Sequence, residues 1–123
     1  MLTPWDPEQH LEMAQAWAAV RGVDLRDDIL PRVGFISDGA AVGWLYQTDS
    51  GVGYLETFVT NPSAPLRSRA RAIDEVGMAL ISAARRLGIT RLVTMTAHKS
   101  IGRMCIRRGF GYAGPMHILQ LEV

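Results

Sequence analysis

Residues 52–96 constrain this chain more than any other stretch, because they read as a strand, a long helix and a second strand with little freedom in their connection. Within residues 65–87, Leu66, Ala70, Ile73, Gly77, Leu80, Ala84 and Leu87 recur at intervals of 4, 3, 4, 3, 4 and 3, which predicts one buried helical face. Asn61-Pro62 breaks the chain before this helix and Gly88 closes it. The flanking runs 52–60 and 89–96 are strand-like. A unit of this length predicts a right-handed parallel crossover. Ala70, Gly77 and Ala84 would let the helix lie close on the sheet.

The preceding half supplies the rest of a sheet. Asp6-Pro7-Glu8-Gln9 reads as a helix start, with Asp6 as N-cap, Pro7 at the first helical position and Gln9 placed to reach back. That helix covers about residues 7–21 and stops at Gly22, and one more helical turn fits residues 24–30. Runs 33–37 and 40–48 flank Asp38-Gly39, a favoured two-residue hairpin turn, and 52–60 follows a polar turn at 48–51, so an antiparallel meander is expected. After the crossover come a helix over about 99–108, stopped by Gly109, and a final segment with strand-like alternation over 116–122. The expected architecture is α+β, one domain over 1–123, with a mixed and mostly antiparallel sheet flanked by helices.

Composition removes several alternatives. A chain of 123 residues with 48% hydrophobic and 20% charged residues suits one globular core. No apolar run approaches the roughly 18 to 20 residues of a membrane span, so no membrane role and a cytoplasmic location are expected. The single cysteine, Cys105, allows no internal disulfide, and together with three scattered histidines it offers no metal spacing. The net charge of +1 conceals a division, since residues 1–56 carry −6 and residues 57–123 carry +7.

Two local signatures resemble the GCN5-related N-acetyltransferase (GNAT) family. One is Phe58-Val59-Thr60-Asn61-Pro62 leading through Arg67-Ser68-Arg69-Ala70-Arg71-Ala72 into the long helix, similar to the family's strand, R/Q-x-x-G-x-G/A and helix. The other is Arg107-Arg108-Gly109-Phe110, similar to the Gly-Phe that ends the family's next helix. The chain also resembles short GNAT-like proteins of tailed bacteriophages. The resemblance implies a GNAT-like topology and an acetyl-CoA-dependent N-acyltransferase in which an amine attacks the thioester directly. It implies cofactor binding by Phe58, Val59 and residues Arg67, Ser68, Arg69, Ala70, Arg71 and Ala72. The departures point elsewhere, to a catalytically degenerate binding or assembly component, in a phage particle or a homo-oligomer. The family's opening strand has almost no room before Asp6 and is expected to be truncated. Seven residues separate Val59 from Arg67 where the family has about four, and Ala70 replaces a glycine. His98 and Cys105 fall about where the family carries an Asn and the Tyr that protonates the thiolate.

The residues themselves carry part of this reading. Arg67, Arg69 and Arg71 at a helix N-terminus oppose its dipole unless an anion is nearby. A phosphate would satisfy both amides and guanidinium groups. The bland alternative is solvated arginines, with Arg71 paired to Asp74 or Glu75, and nucleic acid is the lesser ligand. Glu56, in an otherwise apolar strand, is a candidate general base or an ordinary solvent-side residue. Alternation puts it with Tyr54 and Phe58, opposite Leu55, Thr57 and Val59. Cys105 is a candidate proton donor or nucleophile, or a small buried hydrophobe. His98 is expected to cap its helix. The acceptor amine is not specified by the sequence.

Overall fold

The computed structural model describes residues 1–96, 98–115 and 119–123. Strand β1 (Leu2–Pro4) precedes α1 (Pro7–Ala19), and a single 3-10 turn at Asp27–Ile29 leads to β2 (Gly34–Ser37), β3 (Ala41–Gln47) and β4 (Val52–Thr60). Then follow α2 (Leu66–Arg86), β5 (Arg91–Val93) and α3 (Lys99–Arg107). The sheet order is β1-β2-β3-β4-β5, antiparallel throughout except for the parallel β4–β5 pair. The α+β class, the meander and the parallel crossover are therefore as expected. The opening strand is present but only three residues long, and its Pro4 is tolerated because β1 is an edge. Of the final alternating segment, 116–118 lie outside the described residues, and 119–123 form no strand.

Local chemistry fixes the element ends. Asp6 accepts the Glu8 amide at 3.0 Å, while its own amide donates to Nδ1 of His10 at 3.0 Å, so His10 and not Gln9 makes the reaching-back contact. The three helices end alike: Gly22, Gly88 and Gly109 take positive φ, and the next amides, from Val23, Ile89 and Phe110, return to Ala18, Ala84 and Cys105. Asp38 and Gly39 both have positive φ, as a tight hairpin turn requires.

Two cores sandwich the sheet. Trp5, Trp17, Ala18, Ile36, Val42, Trp44 and Val59 pack on the α1 side, and Leu45, Leu55, Val76, Leu80, Ile81 and Ala84 on the α2 side. The buried residues of α2 are Ala72, Val76, Gly77, Leu80, Ile81, Ala83 and Ala84. The expected stripe is thus displaced: Ala72, Val76 and Ile81 are buried outside it, while Leu66 and Leu87 at its two ends are 75% and 49% exposed. Asp74 binds Arg108 through two contacts, one of them 3.1 Å, which fastens α3 to α2. Glu75 accepts from the Ser37 hydroxyl at 3.0 Å. Neither carboxylate pairs with Arg71, contrary to the local pairing expected for solvated arginines.

One irregularity organises the centre of the sheet. Between Gly43 and Trp44 the β3–β4 register shifts, so that Gly43 opposes Phe58 and Trp44 opposes Glu56, leaving Thr57 as an extra residue at φ 65°. This β-bulge inverts the side-chain alternation. Leu55 packs on the α2 side and Val59 on the α1 side, although they are four residues apart. Glu56 therefore shares a face with Tyr54 and Val59, and Phe58 lies on the other, which corrects the expected alternation. Gly43 makes room for the displaced ring: an added Cβ would lie 2.8 Å from Phe58 and 3.0 Å from Val76. Gly43→Ala is expected to lower stability by about 1 to 3 kcal/mol through overpacking, measured by urea unfolding; an unchanged midpoint would show that Phe58 moves freely.

Candidate functional site

Among the described residues, the edge of β4 beyond Tyr54 has no strand partner. β5 pairs in parallel only with Val52–Tyr54, and beyond that the last tie is the Thr94 hydroxyl donating to the Leu55 carbonyl at 2.6 Å. Residues 94–96 then diverge from β4, and a groove of about 760 Å3 opens between them. Its β4 wall is Leu55 and residues 57–60, and the opposite wall is Thr94, Met95 and Thr96. Ala18, Arg21 and Val23 border it from the end of α1, Leu66, Arg69, Ala70 and Ile73 from α2, and His98, Ser100 and Ile101 from the start of α3.

The electrostatics of the groove are one-sided. Among the described residues that line it there is no Asp or Glu, whereas Arg21 and Arg69 are cationic. Arg21 is held in place: its guanidinium donates to the Thr60 carbonyl at 2.7 Å, the Thr60 hydroxyl at 2.8 Å and the Trp17 carbonyl at 3.3 Å. The N-cap of α2 is Pro65, which makes no side-chain cap, and the first turn contains no acid. A helix beginning at Leu66 leaves the amides of Leu66, Arg67 and Ser68 without intrahelical acceptors, and the first closed bond is from the Arg69 amide to the Pro65 carbonyl at 3.0 Å. Nε of Arg69 is buried with no hydrogen-bond partner among the described residues. An orphaned donor of this kind beside an uncapped helix end fits an anionic ligand.

The residues expected to bind a cofactor are only partly assembled here. Phe58, Val59, Arg69 and Ala70 line the groove, while Arg67, Ser68 and Arg71 are exposed and do not. Ala72 is buried against Ala40 and Ala41. The segment 67–72 lies within α2, so the amides from Arg69 onward are engaged in the helix and the open ones are those of Leu66, Arg67 and Ser68.

Glu56 does not line the groove, and it sits behind the bulge with Tyr46 and Thr57. Burial raises the Tyr46 phenol above its ordinary value, a hydrogen bond with Thr57 pulls it down, and the Glu56 carboxylate adds to the rise. Cys105 is buried with Ile101 and Met104 against Phe58, Ile73 and Phe110, outside the groove lining. Burial pushes its thiol up, the opposite of what an activated nucleophile needs. His98 occupies the N-cap position of α3 but makes no capping bond; its amide is instead held by the Thr96 hydroxyl at 3.0 Å.

Arg21 and Thr94 were not identified from sequence, because each acts across 39 residues of chain. Thr57 gave no signal either, since threonine suits a regular strand.

Solved structures share this fold. A "probable acetyltransferase" superposes with a TM-score of 0.70 at 14% identity, covering 100% of this chain and 97% of its own. The aminoglycoside N-acetyltransferase AAC(6')-Iy, in complex with the bisubstrate analogue CoA-S-monomethyl-acetylneamine, superposes with a TM-score of 0.66 at 15% identity, covering 100% and 98%. An acetyltransferase of Trypanosoma brucei gives 0.65 at 19% identity, covering 98% and 99%. No family model and no curated protein sequence matches the chain. The fold is that of the GNAT-type acyl-CoA N-acyltransferases.

Arg67→Glu would place an acid in the acid-free first turn of α2. It is expected to stabilise the ligand-free protein by about 0.3 to 1 kcal/mol, a rise of about 1 to 5 °C in Tm; a lowered Tm would show that this helix end is already neutralised.

Proposed function

We propose that this chain is a GNAT-family N-acyltransferase that moves an acetyl group from acetyl-CoA to an amine. The observation that carries the reading is the groove between the splayed β4 and β5, closed at one end by an uncapped helix N-terminus and the unpartnered Arg69 Nε. A long ligand with an anionic end fits that shape and charge. The fold neighbours add support, since AAC(6')-Iy is held with CoA in one structure and with a CoA-linked analogue in another.

Acetyl-CoA supplies an activated acyl group, and this chain's residues bind and orient it. The amides of Leu66, Arg67 and Ser68, with Arg69, would hold the pyrophosphate. Arg67 and Arg71, exposed on the same turns, would add long-range attraction for a polyanion. The open edge of β4 at Phe58 and Val59 would pair with the amide-bearing arm as an added strand does, and polarise the thioester carbonyl. Glu56 would accept the proton of the amine from the side of the bulge facing Tyr46. Holding the two reactants together supplies much of the rate enhancement.

Thermal unfolding with acetyl-CoA tests the binding. At 100 times its Kd a ligand adds about 2.7 kcal/mol. Arg69→Ala is expected to remove most of the resulting Tm rise, while Arg71→Ala, outside the groove, keeps most of it. No rise at millimolar acetyl-CoA would sink the enzyme reading and leave the binding or assembly role. Glu56→Gln is expected to lower turnover on a panel of amines about 100-fold; an unchanged rate would remove Glu56 from the mechanism.

A further inference from the structure

We propose that His98 is the acid that protonates the departing CoA sulfur, an assignment that rests on the acyl-transfer reading of the groove. The reaction has to end with a proton on that sulfur. Of the side chains lining the groove among the described residues, Arg21 and Arg69 are permanently charged donors, the threonines and Ser100 are alcohols, and His98 alone belongs to a type that exchanges protons near neutral pH. Among the described residues its ring has no hydrogen-bond partner. It sits at the N-cap of α3 with no capping bond, whereas the His10 ring is already engaged by the Asp6 amide. Because His98 is exposed, water can reload it after each turnover.

Proton arithmetic separates His98 from Cys105. As residue types, an imidazolium is a stronger acid than an alkyl thiol and can hand its proton to a thiolate. A cysteine thiol starts level with the CoA thiol, and burial pushes Cys105 higher still, so it offers no such advantage. Cys105 is also 4% exposed and faces the α2–α3 core. The step balances as follows. The amine nitrogen forms a bond to the acyl carbon, its proton goes to Glu56 or water, and the C–S bond breaks with its electron pair leaving on sulfur. That sulfur takes the imidazolium proton, and neutral His98 is reprotonated by solvent.

The charged groups bordering the groove are Arg21 from α1 and Arg69 from α2, Lys99 follows His98 in α3, and β4 and 94–96 contribute none.

The test uses the full chain, with CoA and acetyl-CoA as probes. NMR of the histidine rings, with the His98 signal assigned by loss in His98→Gln, is expected to show that signal shifting on saturation with CoA while the His10 signal stays. His98→Gln should keep its fold and its acetyl-CoA thermal shift, yet lose about 100-fold in kcat for acetyl transfer to hydroxylamine. An unmoved His98 signal in a protein that acetyl-CoA does stabilise, or equal kcat in the two proteins, overturns the assignment alone. Absence of any thermal shift in the wild type overturns the acyl-transfer reading and this assignment with it.

Discussion

The extra residue in β4 is what the groove and both cores depend on. A regular strand of nine residues would send Leu55 and Val59 to the same side of the sheet. With Thr57 at φ 65°, the strand serves α2 with its first half and α1 with its second. It also turns away from β5, which is why pairing stops at Tyr54 and an open backbone edge begins. A β-branched residue in the left-handed region costs on the order of 1 kcal/mol or more. Gly43 helps to sustain the bulge by leaving space for the Phe58 ring, and Arg21 ties the far end of β4 to the end of α1 through Thr60.

Charge follows the same geometry. The acids of α2 are used structurally: Asp74 holds Arg108 and Glu75 holds Ser37, on flanks of the helix turned from the groove. Arg69 is thereby left facing the groove with no carboxylate lining it among the described residues. The division of the sequence into an acidic first half and a basic second half is thus resolved more finely than a whole-half polarity. The cation on the α1 side of the groove is Arg21, from the acidic half, and it is brought there by the helix C-terminus next to Gly22.

What could be read from the chain was whatever local chemistry determines. The bounds of β4, the parallel crossover and the glycine-capped helix ends follow from turn residues and periodicity, which act over a few positions. The buried face of α2 was misplaced by its ends: Leu66 and Leu87 satisfy the spacing, yet Leu66 borders the open groove and Leu87 lies at the C-cap, and both are exposed. The bulge was invisible because it is imposed by the two cores together, and no residue at 55–59 is a glycine that would announce it. The side-chain positions of Glu56 and Phe58 depend on that bulge, so strand alternation alone assigned them wrongly.

The two departures of residues 59–70 from the motif they resemble are one structural choice. The connection from Val59 to Arg67 is longer by about three residues, and a glycine is replaced by Ala70. Three residues are close to one helical turn of 3.6, and α2 absorbs them by beginning at Leu66, ahead of the motif. Ala70 then needs no positive φ, because it is an ordinary helical residue, and its Cβ faces the groove at a point where no backbone has to approach a ligand. The entry to this earlier helix is fixed by Asn61, whose side chain accepts the Ser63 amide at 2.9 Å and donates to the Gly39 carbonyl at 3.0 Å. Under the acyl-transfer proposal, anion recognition would pass from a glycine cradle to the first three amides of the helix and the Arg69 side chain. This arrangement accounts for a helix start that carries three arginines and no acid.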